Sequence, residues 1–93
     1  MKYVILYTME GCPHCVNFKN MLKEGNIKFE ERDIENYEEE YKNFVEVTSN
    51  EYLPAFTLIN IENKNDPEVE LYAPDDDFEN LNEAVEIINN FLI

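Results

Sequence analysis

The chain has 93 residues, 21 of them acidic and seven basic, for a formal net charge of −14, and 44 % of its residues are hydrophobic. That length suits one small domain over residues 1–93, and the six Phe and six Tyr supply a core that a disordered composition lacks. The charge excludes nucleic acid as a partner, since phosphate binding needs concentrated Lys and Arg, and it disfavours anionic membrane surfaces.

Residues 3–7, "YVILY", are a continuous apolar run, far too short to span a membrane and suited to a strand covered on both faces. Residue 8 onward turns polar too soon for a secretory signal, so the expectation is a cytoplasmic protein. From residue 12 to about 24 the pattern is helical, with Cys15, Phe18 and Leu22 at spacings of three and four and a stop at Gly25-Asn26. "IKFEERDI", residues 27–34, alternates as a strand with one wet face. Asn36 with Glu39 reads as a capping box for a second helix whose stripe is Tyr37, Tyr41, Phe44 and Val45.

"TSNEYLP" reads as a loop and "AFTLINI", residues 55–61, as a third strand; "ENKNDP" is a turn and residues 69–72 a short fourth strand. Pro74 and the acidic run 75–77 open the last helix, with Asp76 and Glu79 as a capping pair. Its apolar face is Phe78, Leu81, Val85, Ile88 and Leu92. The order is β-α-β-α-β-β-α. The first two strands should be parallel and the last two antiparallel.

Both cysteines lie in "CPHC", residues 12–15, where the first strand gives way to the first helix. Unpaired N–H groups and the positive end of the helix dipole favour a thiolate at Cys12. Pro13 is tolerated there because its missing N–H would be unpaired anyway. Cys15 lies one turn along the same face, within disulfide reach, and begins the apolar stripe. An exposed Cys12 that attacks and a shielded Cys15 that resolves is an arrangement suited to thiol–disulfide exchange. His14, if charged, further stabilises the Cys12 thiolate. Two other readings stay open: metal or iron–sulfur ligation by the same cysteines across a dimer, and a redox-inactive binding module. Three Cys and His residues fall short of a four-ligand zinc site, so no metal site is expected within one chain. Pro54, in "EYLPAF", precedes the third strand at a position where a cis X-Pro bond is plausible.

In combination, "YVILYT", "CPHC" opening a helix, "LP" before a strand and "DDDFENL" at the last helix resemble the thioredoxin superfamily, and the glutaredoxins most closely. The resemblance implies an α/β thioredoxin fold, a four-stranded mixed sheet flanked by three helices. It implies a monomeric thiol–disulfide oxidoreductase with a redox-active Cys12–Cys15 disulfide and no tightly bound cofactor. Pro54 would be the cis-proline facing that disulfide, and Leu53 would offer backbone groups to an extended substrate. Asp75 and Asp76 would hold a ligand's amino group. The implied substrates are protein disulfides, with ribonucleotide reductase a frequent partner in the family, or glutathione mixed disulfides. Glutathione or a flavoenzyme reductase would supply electrons. Two departures weaken the glutathione expectation. Met9-Glu10 stands where glutaredoxins carry a Lys or Arg, and Ala73-Pro74 stands in place of a Gly-Gly turn.

Overall fold

A computed structural model describes residues 1–62 and 65–93. Its elements are β1 (Lys2–Thr8), α1 (Pro13–Glu24), β2 (Glu30–Asp33), α2 (Glu38–Thr48), β3 (Ala55–Asn60), β4 (Glu68–Tyr72) and α3 (Leu81–Leu92). The strands lie in the order β2-β1-β3-β4. β1 is parallel to β2 and antiparallel to β3, and β3 is antiparallel to β4. This is the four-stranded mixed sheet flanked by three helices that the resemblance implies.

The central place of β1 accounts for its apolar run. Alternate residues of a strand point to opposite faces, and both faces here are covered. Val4 and Leu6 join Phe18 and Leu22 of α1, Phe56 and Leu58 of β3, and Ala84 and Ile88 of α3 in one core. Ile5 and Tyr7 join Phe44 of α2, Ala55 and Ala73 in the other. So α1 and α3 cover one face and α2 the other. Phe56, fully buried, is the aromatic hub of the first core, its ring centroid 5.9 Å from Phe18, 5.0 Å from Tyr72 and 5.6 Å from Phe78. Burying side chains of this size stabilises by about 1.5–3 kcal/mol each.

Several local expectations are corrected. The second strand begins at Glu30, not at residue 27, because the Ile27 amide bonds the Leu22 carbonyl (2.9 Å) in the exit turn of α1 and is lost to the ladder. The stop at Gly25-Asn26 is where the helix ends, with Gly25 as C-cap at an ordinary φ of −83° and Asn26 left-handed (φ 56°). The Asn36–Glu39 box does not form. α2 starts after Tyr37, whose side chain makes no cap, because Asp33 organises the preceding turn by accepting from the Glu35 amide (2.9 Å). Tyr37 is exposed rather than part of the stripe, and Arg32 lies over its ring at 5.1 Å.

The last helix opens at Leu81, not at Pro74. The run 75–77 is consumed by a turn in which Asp75 takes a left-handed φ of 70° and the Asp77 carboxylate accepts from the Ala73 amide (2.8 Å). The capping pair is therefore Asn80 and Glu83, not Asp76 and Glu79. Asn80 Oδ1 accepts from the Glu83 amide at 2.9 Å, and the Glu83 carboxylate accepts from the Glu79 amide at 2.8 Å. Phe78 is buried ahead of the helix, Ala84 joins Ile88 on its buried face, and Leu92 is exposed. The turn expected over residues 62–67 falls partly outside the described residues.

Candidate active site at the start of the first helix

Gly11 adopts φ 79°, a left-handed conformation that costs glycine little, and so turns the chain from β1 toward α1. Cys12 follows in extended conformation as the N-cap, and its Sγ accepts from the Cys15 amide at 3.2 Å. Pro13 is the first helical residue. Cys12 and Cys15 are joined by a disulfide across a Cα–Cα distance of 5.3 Å. The two sulfurs differ in surroundings. Cys15 is 1 % exposed and begins the buried row with Phe18 and Leu22, whereas Cys12 is partly open. His14, between them, is exposed.

A second segment comes alongside. The Leu53–Pro54 peptide bond is cis; Pro54 is buried and Leu53 partly so. A groove of about 760 Å³ runs beside Cys12 and Pro13 and includes Tyr41 and Leu53 in its walls. A second cavity, of about 450 Å³, is lined by His14, Leu53, Pro54, Asp75 and Phe78. Leu53 borders both, so the structure gathers Cys12, Pro13, His14, Leu53, Pro54 and Asp75 around one end of the sheet. Asp76 is placed differently, since its carboxylate is taken up by Asn50.

Asn50 is buried and was not anticipated from the sequence. Its Nδ2 donates to the Pro74 carbonyl at 2.7 Å and to Asp76 Oδ2 at 2.9 Å, and its Oδ1 accepts from the Tyr52 amide at 2.8 Å. One side chain thus ties the segment leading to Pro54 to the turn that carries Asp75. Gly11 does carry a sequence signal, as one of only two glycines and the neighbour of the cysteine pair. Asn50 offered none, being one of thirteen asparagines in a polar loop.

Charge is organised behind the site as well. The Tyr7 hydroxyl donates to Glu40 at 2.6 Å, and Arg32 pairs with both Glu40 and Glu30. Burial, reinforced by Glu40, pushes the Tyr7 hydroxyl well above its ordinary value. Burial opposes ionisation of Glu40, but hydrogen bonds from Arg32 and Tyr7 outweigh it and hold that carboxyl low. Hydrogen bonds from Lys19 and then Thr8 likewise hold Glu31 low. Among the described residues no three His, Cys, Asp or Glu side chains come together as a metal-ligand set.

The family model for glutaredoxins matches residues 4–58. Glutaredoxin 1 of Rickettsia felis and that of Rickettsia conorii are each 38 % identical over 39 residues, a stretch covering 42 % of this chain and 38 % of theirs. The match thus spans well under half the length of those curated relatives. The crystal structure of the thioredoxin-like protein BC3987 is similar with a TM-score of 0.51 and 26 % identity, covering 57 % of this chain and 73 % of that one. Its T8A mutant gives a TM-score of 0.55 at 17 % identity over 97 % of this chain and 99 % of that one, a likeness of fold.

Proposed function

The chain belongs to the glutaredoxin family, and on that premise we propose that it is a thiol–disulfide oxidoreductase working through the Cys12–Cys15 dithiol. The observation that carries the reading is the asymmetry at the start of α1, a partly open Cys12 at the N-cap and a buried Cys15 bonded to it.

In the reduced protein the Cys12 thiolate faces the unpaired amides and the positive end of α1, which stabilise the anion. It attacks one sulfur of a substrate disulfide. A Cys12–substrate S–S bond forms, the substrate S–S bond breaks, and the second substrate sulfur leaves as a thiolate that takes a proton from water. Cys15 then loses its proton and attacks Cys12 Sγ, closing the Cys12–Cys15 bond and releasing the first substrate sulfur. Two electrons pass from the protein dithiol to the substrate disulfide. Glutathione or a flavoenzyme reductase returns them.

Burial keeps Cys15 from competing for substrate, and His14 adds positive charge near Cys12 when protonated. The backbone at Leu53, before cis Pro54, pairs with the extended substrate strand. Asp75, lining the cavity on the His14 side, meets a cationic group of the bound molecule. The test is a pair of variants given a peptide disulfide. Cys12→Ser should lose turnover to background, whereas Cys15→Ser should accumulate a mixed disulfide, visible as one added peptide mass. Retained turnover in Cys12→Ser would remove the mechanism.

A further inference from the structure

The groove beside Cys12 has an apolar floor that includes Ile34, Tyr41, Val45 and Leu53. Its rim carries three carboxylates, Glu35, Glu38 and Glu51, against one ammonium group, Lys42. They come from three places in the fold: the turn after β2, the first turn of α2, and the loop before Pro54. All three are exposed. The ion pairs recorded among the described residues are Lys19–Glu31, Arg32–Glu30 and Arg32–Glu40, and none of them neutralises the rim. The whole chain carries −14, so the long-range field has the same sign as the local one.

We propose that this groove docks an extended cationic polypeptide, whose disulfide is presented to Cys12 with apolar side chains on the floor and Lys or Arg against Glu35, Glu38 and Glu51. The proposal rests on Cys12 being the attacking thiol and names the substrate class for that site. Charge complementarity selects the occupant. A peptide with two flanking cations gains at the rim, whereas glutathione disulfide, which carries net negative charge, is repelled there. Steering of this kind acts mainly on the encounter rate and is screened by salt, since the Debye length falls from about 30 Å at 0.01 M to about 3 Å at 1 M.

The experiment is a single-turnover reaction of the reduced protein with three disulfides. Two are peptides differing only in flanking Lys or flanking Glu; the third is glutathione disulfide. At 0.01 M salt the Lys peptide should react about tenfold or more faster than the other two, a difference of about 1.4 kcal/mol in barrier, and 1 M salt should erase most of the gap. The triple variant E35Q/E38Q/E51Q should lose the preference. E24Q/E68Q/E86Q, with the same change in net charge at exposed positions outside the groove lining, should keep it. Equal rates for the three disulfides, or equal loss in both triples, overturns the groove as the determinant while leaving Cys12 as nucleophile. No reaction with any disulfide overturns both readings together.

Discussion

Asn50 shows how one buried polar side chain organises two surface segments. Its amide meets the Pro74 carbonyl and the Asp76 carboxylate while its carbonyl oxygen holds the Tyr52 amide. Removing it leaves all three groups without that partner; Asp76 and Tyr52 are exposed and can turn to water, so the loss is that of the net hydrogen bonds, about 2 kcal/mol over the set. Asn50→Ala should therefore lower the unfolding free energy by about that amount in urea titrations. It should also slow reaction with peptide disulfides, because Leu53-Pro54 and the 74–76 turn are no longer held together. Alkylation of reduced Cys12 by a small reagent should keep its wild-type rate, since the helix start is untouched. A parallel loss of alkylation would show a global rather than a positioning effect. Gly11 acts at the same scale: its φ of 79° lets the chain leave β1 and place Cys12 at the N-cap.

Among the elements, α3 shows the difference between a composition that favours a cap and the residue that makes one. The acidic run 75–77 has the chemistry of a helix start, but Asp77 closes on the Ala73 amide and Asp76 on Asn50. Asn80 caps instead, and Asn80→Ala should cost about 1 kcal/mol in the same urea assay. α3 packs Ala84 and Ile88 against the core that holds Phe18 and Leu22, so fraying at its start also loosens the packing of α1. α1 is anchored differently, by Cys12 Sγ at its cap and by Cys15, Phe18 and Leu22 as a buried row.

At the scale of the whole molecule, titration sets the pH range over which the fold is most stable. Glu31 and Glu40 are held below the ordinary carboxylate value of 4.5, so their contribution is present above that pH and is lost as pH falls through the folded values. The tyrosines work at the other end. Tyr7 is raised above 10.0, first by burial, and Tyr72 is pushed up to about 12, first by its hydrogen bond to Glu70. Above pH 10 the unfolded chain ionises these hydroxyls while the folded one keeps its protons, so folding stability must fall there. Melting scans should be flat from about pH 7 to 9 and decline above 10. Tyr7→Phe, which keeps the ring in the second core and removes the hydroxyl, should decline less steeply; an unchanged slope would exclude Tyr7 as a contributor.

Features that depend on neighbours within a few turns of chain are legible in the sequence. Of the apolar run of residues 3–7, Val4 to Tyr7 bury on both faces and Tyr3 stays exposed, the three-and-four spacing of Cys15, Phe18 and Leu22 lines one side of a helix, and Pro13 sits at its first position. These patterns gave the element order, the mixed sheet and the unequal burial of the two cysteines. The tertiary structure alone decided what depends on partners far along the chain. Asn50 finds groups 24 and 26 residues away, and Tyr7 meets Glu40 across 33. Glu35, Glu38 and Glu51 become one rim only when the turn after β2, the start of α2 and the loop before Pro54 are brought together. No periodicity encodes such meetings, because the sheet order and the packing of α2 on its face determine which loops share an end of the molecule.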